Sequence, residues 1–251
     1  MRFNTYGITD IGKYRKNNED AFIIGEKICT NGSLETEMSP PFFAAVCDGV
    51  GGEKAGEIAS LLTLEKLLMT TYSKVTELKT RVFEIHDELI EYGREHPESF
   101  NMQTTLCLIA FDADNNISCI NVGDSRAYLL KSGRIKQIST DQSLSEFLNE
   151  TGRTKIFEQD SEKIKHVIIS SLGNSKQYPM VDLTNVSEKL EKGDTLMICS
   201  DGVSDKLSND DIKTSLTGCV SISDKANSLI NKAVQNGSRD NLSVILIEAQ
   251  N

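Results

Sequence analysis

Long apolar segments are missing from this sequence of 251 residues. No run approaches the roughly 18 apolar residues that a membrane-spanning helix needs, and the N-terminal stretch MRFNTYGITDIGKYRKNNEDAF has no apolar signal core. Both absences predict a soluble protein that does not bind a membrane, and we expect it to be cytoplasmic.

Paired cysteines are missing as well. The six cysteines form no C-x-x-C pair, and four of them lie inside apolar runs. Isolated cysteines of this kind are more typical of small buried side chains in a reducing compartment than of zinc or disulfide sites. We therefore expect reduced, buried thiols at Cys29, Cys47, Cys107, Cys119, Cys199 and Cys219.

Positively charged residues are fewer than negatively charged ones. Lys and Arg together number 27 against 37 Asp and Glu, which gives a net charge of −10. Such a charge disfavours binding to nucleic acid or to an anionic membrane. Bound divalent cations would offset part of it.

The most informative stretch is PFFAAVCDGVGG, residues 41 to 52. It begins as an apolar run, typical of a strand buried on both faces, and it stops at Asp48. The glycines that follow, Gly49, Gly51 and Gly52, allow a tight backbone that an ion or a phosphate can approach. A carboxylate beside exposed carbonyl groups suits Mg²⁺ or Mn²⁺. On this stretch alone, a simple turn or hairpin is the competing interpretation.

The same pattern recurs along the chain. Apolar runs end at Gly123-Asp124 and at Ser200-Asp201-Gly202, with Asp205 close behind, and Asp240-Asn241 stands directly before the last apolar run. Crowded carboxylates are costly unless cations neutralise them, so convergence on a metal cluster explains the recurrence better than separate turns do. Because aspartates from residue 20 to residue 240 would then share one site, we expect a single domain.

A charged loop precedes the first apolar strand. Arg15, Glu19 and Asp20 lie within six residues. A solvated charged loop is one interpretation. The other is functional, because the planar guanidinium of Arg15 matches two phosphate oxygens and the two carboxylates could face a metal or its waters.

Periodicity predicts the remaining elements. Amphipathic helices are expected over residues 55 to about 72, 75 to about 95 and 224 to about 235, with a short helix after Ser208. Strands at 104–111, 117–122 and 126–131 are expected to form an antiparallel meander. The N-terminal segment before Ala21 and residues 31–41 look like polar loops, and residues 140–166 look like a mobile flap. Together they predict an α+β fold with two antiparallel sheets and helices outside.

In order, these pieces resemble the metal-dependent serine/threonine protein phosphatases of type 2C, and the bacterial members in particular. The resemblance extends from residue 9 to residue 247 and implies a β-sandwich flanked by α-helix pairs, in one catalytic domain of residues 1–251. Its motifs are Arg15 with Glu19-Asp20, Asp48-Gly49-Val50-Gly51-Gly52, Thr104-Thr105, Gly123-Asp124-Ser125-Arg126, Ser200-Asp201-Gly202-Val203-Ser204-Asp205 and Ser238-Arg239-Asp240-Asn241.

The resemblance also implies roles for these residues. Two Mn²⁺ or Mg²⁺ ions would occupy a core site, with Asp48 bridging them, and Arg15 would bind the substrate phosphate. The residues that would complete the two metal shells, partly through water, are the Gly49 carbonyl, Asp201, Asp240, Glu19 and Asp20. A weaker third metal position matches Asp124, Asp201 and Asp205, and Asn241 would support Asp240.

The implied activity is one-step hydrolysis of phosphoserine and phosphothreonine in proteins. Two cations acidify a bridging water, and the resulting hydroxide attacks phosphorus in line. Many family members carry a histidine two residues after the bridging aspartate, proposed as the general acid, whereas Val50 stands there in this chain. Valine cannot donate a proton, so a metal-bound water would supply it.

Two alternatives remain open on the sequence. One is a catalytically weak or inactive relative that binds phosphoproteins as a regulatory module, although the matching carboxylates and Arg15 are all present. The other is a hydrolase of small phosphoesters or nucleic acid, which the negative charge disfavours for polyanions. The expected partners are phosphorylated proteins, including a Ser/Thr protein kinase and its substrates, and we expect a monomer.

Overall fold

The computed structural model describes residues 1–50, 55–72, 74–151 and 167–250, and its strands form two six-stranded sheets. The first sheet has the order β4 (Gly32–Met38), β1 (Phe3–Asp10), β12 (Leu242–Ala249), β11 (Thr195–Cys199), β8 (Arg126–Lys131) and β9 (Arg134–Gln137). The second sheet has the order β10 (Asp182–Val186), β7 (Ile117–Val122), β6 (Leu106–Phe111), β5 (Phe42–Asp48), β2 (Asp20–Ile24) and β3 (Lys27–Cys29). All pairings of these strands are antiparallel, as predicted.

Helices cover the outer face of each sheet. The second sheet packs against α1 (Gly56–Leu68) and α2 (Val75–Glu95), while the first packs against α4 (Asp201–Ser204), α5 (Asn209–Gly218) and α6 (Ile222–Gln235). A separate apolar core fills the space between the sheets, where the ring of Phe111 lies 4.5 Å from those of Phe3 and Phe42. This arrangement is the predicted four-layer α-β-β-α sandwich.

The sequence predicts the end of α2 correctly but not the end of α1. The buried residues of α2, from Val75 to Leu89, recur at helical spacing, so one face packs on the sheet. The helix ends before His96 because the residue preceding Pro97 is driven to extended backbone. By contrast, α1 ends at Leu68, earlier than predicted, and Tyr72 beyond it donates a hydrogen bond to the Phe111 carbonyl (2.9 Å).

The predicted meander is wrong at its second turn. Strands β6 and β7 do form an antiparallel pair, but β8 belongs to the other sheet. Residues 123–125 cross from one sheet to the other, with Gly123 at a φ of +101° that favours glycine. The same turn-forming residues serve a hairpin or a crossing, so the sequence does not distinguish them. The crossing places Asp124 at the end of the sandwich.

Two segments expected to be polar loops are strands. Residues 3–10 form β1 and residues 32–38 form β4. The burial of β4 alternates between exposed and half-buried positions, as in a strand at the edge of a sheet, so polar residues are tolerated there. In β1 the buried Thr5 hydroxyl donates to the Thr36 carbonyl (2.6 Å). This hydrogen bond allows a polar side chain to be buried in the sheet. Strand β10 was not predicted either.

The predicted flap is only partly described. Residues 144–150 form a helix, α3 (Leu144–Glu150), in which the Glu146 N–H donates to the Ser143 hydroxyl as an N-terminal cap. This helix was not expected in a stretch without periodicity. Residues 152–166, including His166, lie outside the described residues, as do Gly51 and Gly52, so mobility of a flap remains a prediction.

The cysteines agree with the sequence-based expectation in the main. All six lie in described residues and none forms a disulfide. Four are buried in strands, whereas Cys29 and Cys219 are only partly buried. In the described ranges, no helix combines the length and the apolar character needed to cross a membrane.

Candidate active site

Asp20 and Asp48 lie side by side at one end of the second sheet. They are register partners across β2 and β5. Asp20 is only 1% exposed, and its Oδ2 accepts hydrogen bonds from the hydroxyls of Ser200 (2.8 Å) and Ser243 (2.7 Å). Ser200 follows β11 and Ser243 lies in β12, so Asp20 joins the two sheets at this end.

The backbone of Asp48 is held on both sides. Its N–H donates to the Thr105 hydroxyl (3.1 Å), and its carbonyl accepts from the Thr104 hydroxyl (2.9 Å) and the Thr105 N–H (2.8 Å). The threonines precede β6, the neighbouring strand. The position of the Asp48 side chain is therefore set by rigid sheet structure.

Gly49 continues this strand end where no side chain fits. A Cβ at this position would lie 2.3 Å from the Gly56 carbonyl oxygen. The Gly49 N–H donates to the Glu19 carbonyl (3.1 Å), which also accepts from the Ser60 hydroxyl (2.7 Å). Glycine at 49 thus lets the start of α1 and the Glu19 loop approach Asp48 closely.

Asp201 and Asp240 come from the first sheet. Asp201 is the first residue of α4 and is separated from β11 by Ser200 alone, and Asp240 stands two residues before β12. A Cβ at Gly202 would lie 2.0 Å from the Asn241 carbonyl oxygen and 3.1 Å from the Asp240 Cβ. Glycine at 202 therefore allows the two aspartate segments to meet. We call Asp20, Asp48, Asp201 and Asp240 the carboxylate cluster.

Arg15 lies at the exposed edge of this cluster. Its Nη2 is 2.7 Å from Asp240 Oδ2, and its Nη1 is 3.9 Å from Glu19 Oε2. The hydrogen bond to Asp240 is the main cause that raises the pKa of the Arg15 guanidinium. The side chain is 41% exposed, so it is accessible to a ligand in solution. The structure therefore brings the predicted phosphate-binding residue to the predicted metal ligands.

Asn241 makes more contacts than the sequence predicted. Its backbone N–H donates to Asp240 Oδ1 (2.8 Å), in keeping with a supporting role. Its side chain also holds the loop that carries Arg15: Nδ2 donates to the carbonyls of Ile11 and Asn17, each at 3.0 Å, and Oδ1 accepts from the Glu19 N–H (2.9 Å). One amide thus fixes the N-terminal loop against the start of β12.

Asp124 and Asp205 lie beside the cluster. Asp124 is buried, and burial is the main cause that raises its pKa, with contributions from the charges of Asp201 and Asp205. Asp205 lies at the end of α4 and is 3.5 Å from Arg126 Nη2, which also pairs with Asp141 at 2.6 Å. The residues predicted for a third metal position are therefore neighbours, and Arg126 is beside them.

The carboxylate cluster is electrostatically strained. Burial is the main cause that raises the pKa of Asp20 to about 7, and the charges of Asp201 and Asp240 add to it. Burial also raises the pKa of Asp48 well above its usual value, helped by the charges of the neighbouring aspartates. Carboxylates that raise one another's pKa in this way create a strong demand for positive charge.

The donor set of this site fits hard divalent cations. Carboxylate and carbonyl oxygens are the ligands that Mg²⁺ and Mn²⁺ prefer. Asp20 Oδ1 and Asp124 Oδ1 are buried without a hydrogen-bond partner in the protein, although buried oxygens normally have one. Within the described ranges, no three carboxyl, thiol or imidazole groups are already gathered as a complete metal-binding group. Mg²⁺ usually keeps several water ligands, so the predicted carboxylates need not fill each shell by themselves.

Sequence reasoning missed Ser243 and Ser60, which hold Asp20 and the Glu19 backbone. A signal existed for Ser243, because it is the single polar residue in the apolar run of residues 242–247. Ser60 lies in an ordinary helical pattern, so nothing in the sequence indicates its contact with the Glu19 backbone. Val50 donates its N–H to the Gln103 carbonyl (2.9 Å), and its side chain has no proton to give.

Comparison with known proteins places this geometry in context. A family sequence model described as protein phosphatase 2C matches residues 31–236. The chain is 29% identical over 249 residues to the serine/threonine phosphatase stp of Listeria welshimeri, covering 96% of this chain and 93% of the relative.

Solved structures agree with the sequence match. The serine/threonine phosphatase of S. agalactiae has a TM-score of 0.82 and 29% identity, with 99% of this chain and 100% of that chain covered. The catalytic domain of the serine/threonine protein phosphatase PstP, in complex with two manganese ions, has a TM-score of 0.77 and 26% identity, with 100% of both chains covered.

Proposed function

The chain belongs to the protein phosphatase 2C family, and we propose that its carboxylate cluster and Arg15 form the site that hydrolyses phosphoserine and phosphothreonine in proteins. The enzyme class is that of a metal-dependent serine/threonine protein phosphatase that uses Mn²⁺ or Mg²⁺. The single observation that carries the site assignment is the meeting of four aspartates and one arginine from both ends of the chain at one end of the sandwich.

The residues that would hold the two ions are Asp48, Asp201, Asp240 and the Gly49 carbonyl, with Glu19 and Asp20 acting directly or through water. When bound, the ions would neutralise the cluster, polarise the phosphoryl oxygens and lower the pKa of water. Asp124, Asp201 and Asp205 are proposed for a third ion of lower affinity.

The protein's own groups would bind and orient the substrate. Arg15 presents a planar fork of donors that matches two phosphate oxygens. Asp20 would keep its position because Ser200 and Ser243 hold one of its oxygens. Val50 offers no proton, so the departing serine or threonine oxygen would take its proton from water.

The wider setting is part of the proposal. Phosphatases of this family act on phosphorylated proteins, and we propose that a Ser/Thr protein kinase and its substrates are the partners of this one. We also propose a cytoplasmic monomer in which residues 1–251 form one catalytic domain. Light scattering of the purified protein would test the monomer, since a mass near 55 kDa, twice the chain mass of 27.7 kDa, would contradict it.

The test is hydrolysis of a phosphothreonine peptide by chelator-stripped protein before and after Mn²⁺ is added. We expect activity only with metal, and its loss in Asp240→Asn. Asp114→Asn is the matched control, because Asp114 is an exposed aspartate in the turn between β6 and β7. Failure of folded, Mn²⁺-loaded protein to release phosphate would favour a phosphoprotein-binding module instead.

A further inference from the structure

An apolar pocket lies next to the carboxylate cluster. It has a volume of about 440 Å³, and its apolar wall consists of Val50, Phe147, Ile168, Ile169 and Met180. The four remaining lining residues that the structure describes are three amides and one serine. None of the nine described lining residues is charged, whereas charged residues make up 25% of the chain.

Solvent reaches several of these apolar side chains. Phe147 is 45% exposed and Met180 is 41% exposed, and Val167 and Tyr178, in the segment that carries Met180, are exposed as well. Single exposed apolar residues are ordinary, but a group of them around a concave surface marks a binding site. A ligand that covers this surface would therefore bury exposed apolar side chains.

The pocket wall is linked by hydrogen bonds to the strand end that carries Asp48. Val50 follows Asp48 by two residues, and its N–H donates to the carbonyl of Gln103, which also lines the pocket. The Gln103 side chain accepts a hydrogen bond from the Ser171 hydroxyl (2.7 Å). Two backbone hydrogen bonds, of 3.2 and 2.9 Å, then join Thr104 to Leu172, and Thr104 holds the Asp48 carbonyl. The same short network thus positions the pocket wall and the metal-site aspartate.

Asp48 of the cluster and Val50 of the pocket are two positions apart in the chain, a separation that one extended polypeptide can cover. The Cα atoms of residues two positions apart lie at most about 7 Å from each other in any chain. This limit holds for Asp48 and Val50 in the enzyme, and it holds for a phosphorylated residue and its neighbours in a substrate. A residue one or two positions from a phosphothreonine held at the cluster can therefore reach the pocket. An apolar side chain would be buried there, while a charged one would lose water without gaining a partner.

We propose that this pocket binds an apolar side chain one or two positions from the phosphorylated serine or threonine, and so selects substrate proteins by that residue. The inference rests on the proposed function of the neighbouring cluster. Met180 and Phe147 are then specificity-determining residues that contact substrate away from the reacting atoms.

The experiment compares phosphothreonine peptides that differ only in whether the residues flanking phosphothreonine are leucine, serine or aspartate. With Mn²⁺ present, we expect kcat/KM to be about tenfold higher for the best leucine peptide, the scale of a buried apolar contact. Met180→Gln and Phe147→Ser should remove this preference while leaving hydrolysis of p-nitrophenyl phosphate unchanged. Met69→Gln is the matched control, because Met69 is 84% exposed at the end of α1 and does not line the pocket.

Each other outcome has a distinct meaning. Hydrolysis of all peptides at similar rates would overturn the proposed role of the pocket, and so would an equal loss of activity towards every substrate in the variants. Either result would leave the phosphatase assignment intact. A change in oligomeric mass in Met180→Gln, without a change in peptide preference, would show that a second copy covers the surface. Absence of hydrolysis of every substrate, including p-nitrophenyl phosphate, would overturn the proposed function and this inference with it.

Discussion

The carboxylate cluster and the apolar pocket meet at residues 48–50, yet they are built from different kinds of structure. The cluster stands on strand ends and on glycine contacts that bring Asp48, Asp201 and Asp240 together. Beyond Val50 and Gln103, the pocket is lined by α3 and by residues 168–180, which lie mostly in loops. Rigid sheets fix the groups that need accurate positions, while loops can vary without disturbing them.

The two regions also differ in what they do to stability. The cluster holds aspartates whose raised pKa values show mutual repulsion, so without cations it should destabilise the fold. The described residues that line the pocket expose apolar atoms, and none of them is charged. Substitutions in the cluster should therefore act on metal binding and stability together, whereas those in the pocket should act on substrate choice alone.

The largest effect is expected for Asp48→Asn. Hydrolysis should fall by at least about 100-fold, because a central metal-binding charge is removed. The metal-free variant should nevertheless be more stable than the wild type, since one repelling carboxylate is gone. Urea denaturation in EDTA and activity with Mn²⁺ would measure both. Unchanged stability would contradict the view that the cluster is strained, and near-normal activity would remove Asp48 from the metal site.

Gly202→Ala should come next. The new methyl group would meet the Asn241 carbonyl at 2.0 Å, so the Asp201 and Asp240 segments must separate. We expect a loss of about 2–4 kcal/mol in the free energy of unfolding, together with weaker Mn²⁺ binding by calorimetry. Gly218→Ala in α5 is the matched control, because no atom lies within 4 Å of its added methyl group. Equal behaviour of the two variants would show that the close approach at Gly202 is not needed.

The titration of Asp20 gives a pH dependence to the metal-free protein. Its pKa of about 7 in the folded state compares with roughly 3.9 in an unfolded chain, so the folded state binds this proton more tightly. Its contribution to stability is therefore full below about pH 4 and is lost as the pH rises to about 7, by at most about 4 kcal/mol. In EDTA, Asp20→Asn should show a smaller fall in unfolding free energy between pH 5 and pH 8 than the wild type. Identical pH slopes would show that Asp20 is ionised in the fold.

Arg15→Ala should have the smallest effect on the cluster itself. Loss of the guanidinium should raise KM for a phosphopeptide by about tenfold, while Mn²⁺ affinity stays the same or increases, because Asp240 loses its ion-pair partner. Isothermal titration with Mn²⁺ and steady-state kinetics would separate the two effects. Weaker metal binding in this variant would mean that Arg15 organises the cluster instead of binding substrate. Lys13→Ala, in the same exposed loop, is the control.

The sequence predicts the cluster better than its surroundings, for physical reasons. One aspartate beside an apolar strand also fits a simple turn, but the recurrence of this pattern at Asp48, Asp201 and Asp240 favours a shared polar site over separate turns. The end of α2 follows from Pro97 in the same direct way. By contrast, β4 is hard to predict because its alternating partial burial tolerates polar residues, and β1 because its Thr5 and Thr9 side chains are buried with hydrogen-bond partners. The reach of the Asn241 side chain to Ile11 and Asn17, and the sheet crossing at Gly123, depend on contacts far apart in the chain.

The position of β12 has a consequence for how the enzyme is made. This strand lies inside the first sheet between β1 and β11, and it pairs with β1 over eight residues, from Phe3↔Ala249 to Asp10↔Leu242. A chain growing on the ribosome therefore has neither Asp240 nor the strand that joins β1 to β11 until residues 240–249 have been synthesised. Folding of the first sheet and assembly of the site must both wait for that segment to emerge. A chain interrupted before residue 240 would thus leave two unpaired strand edges and no complete site, and translation itself would prevent premature activity.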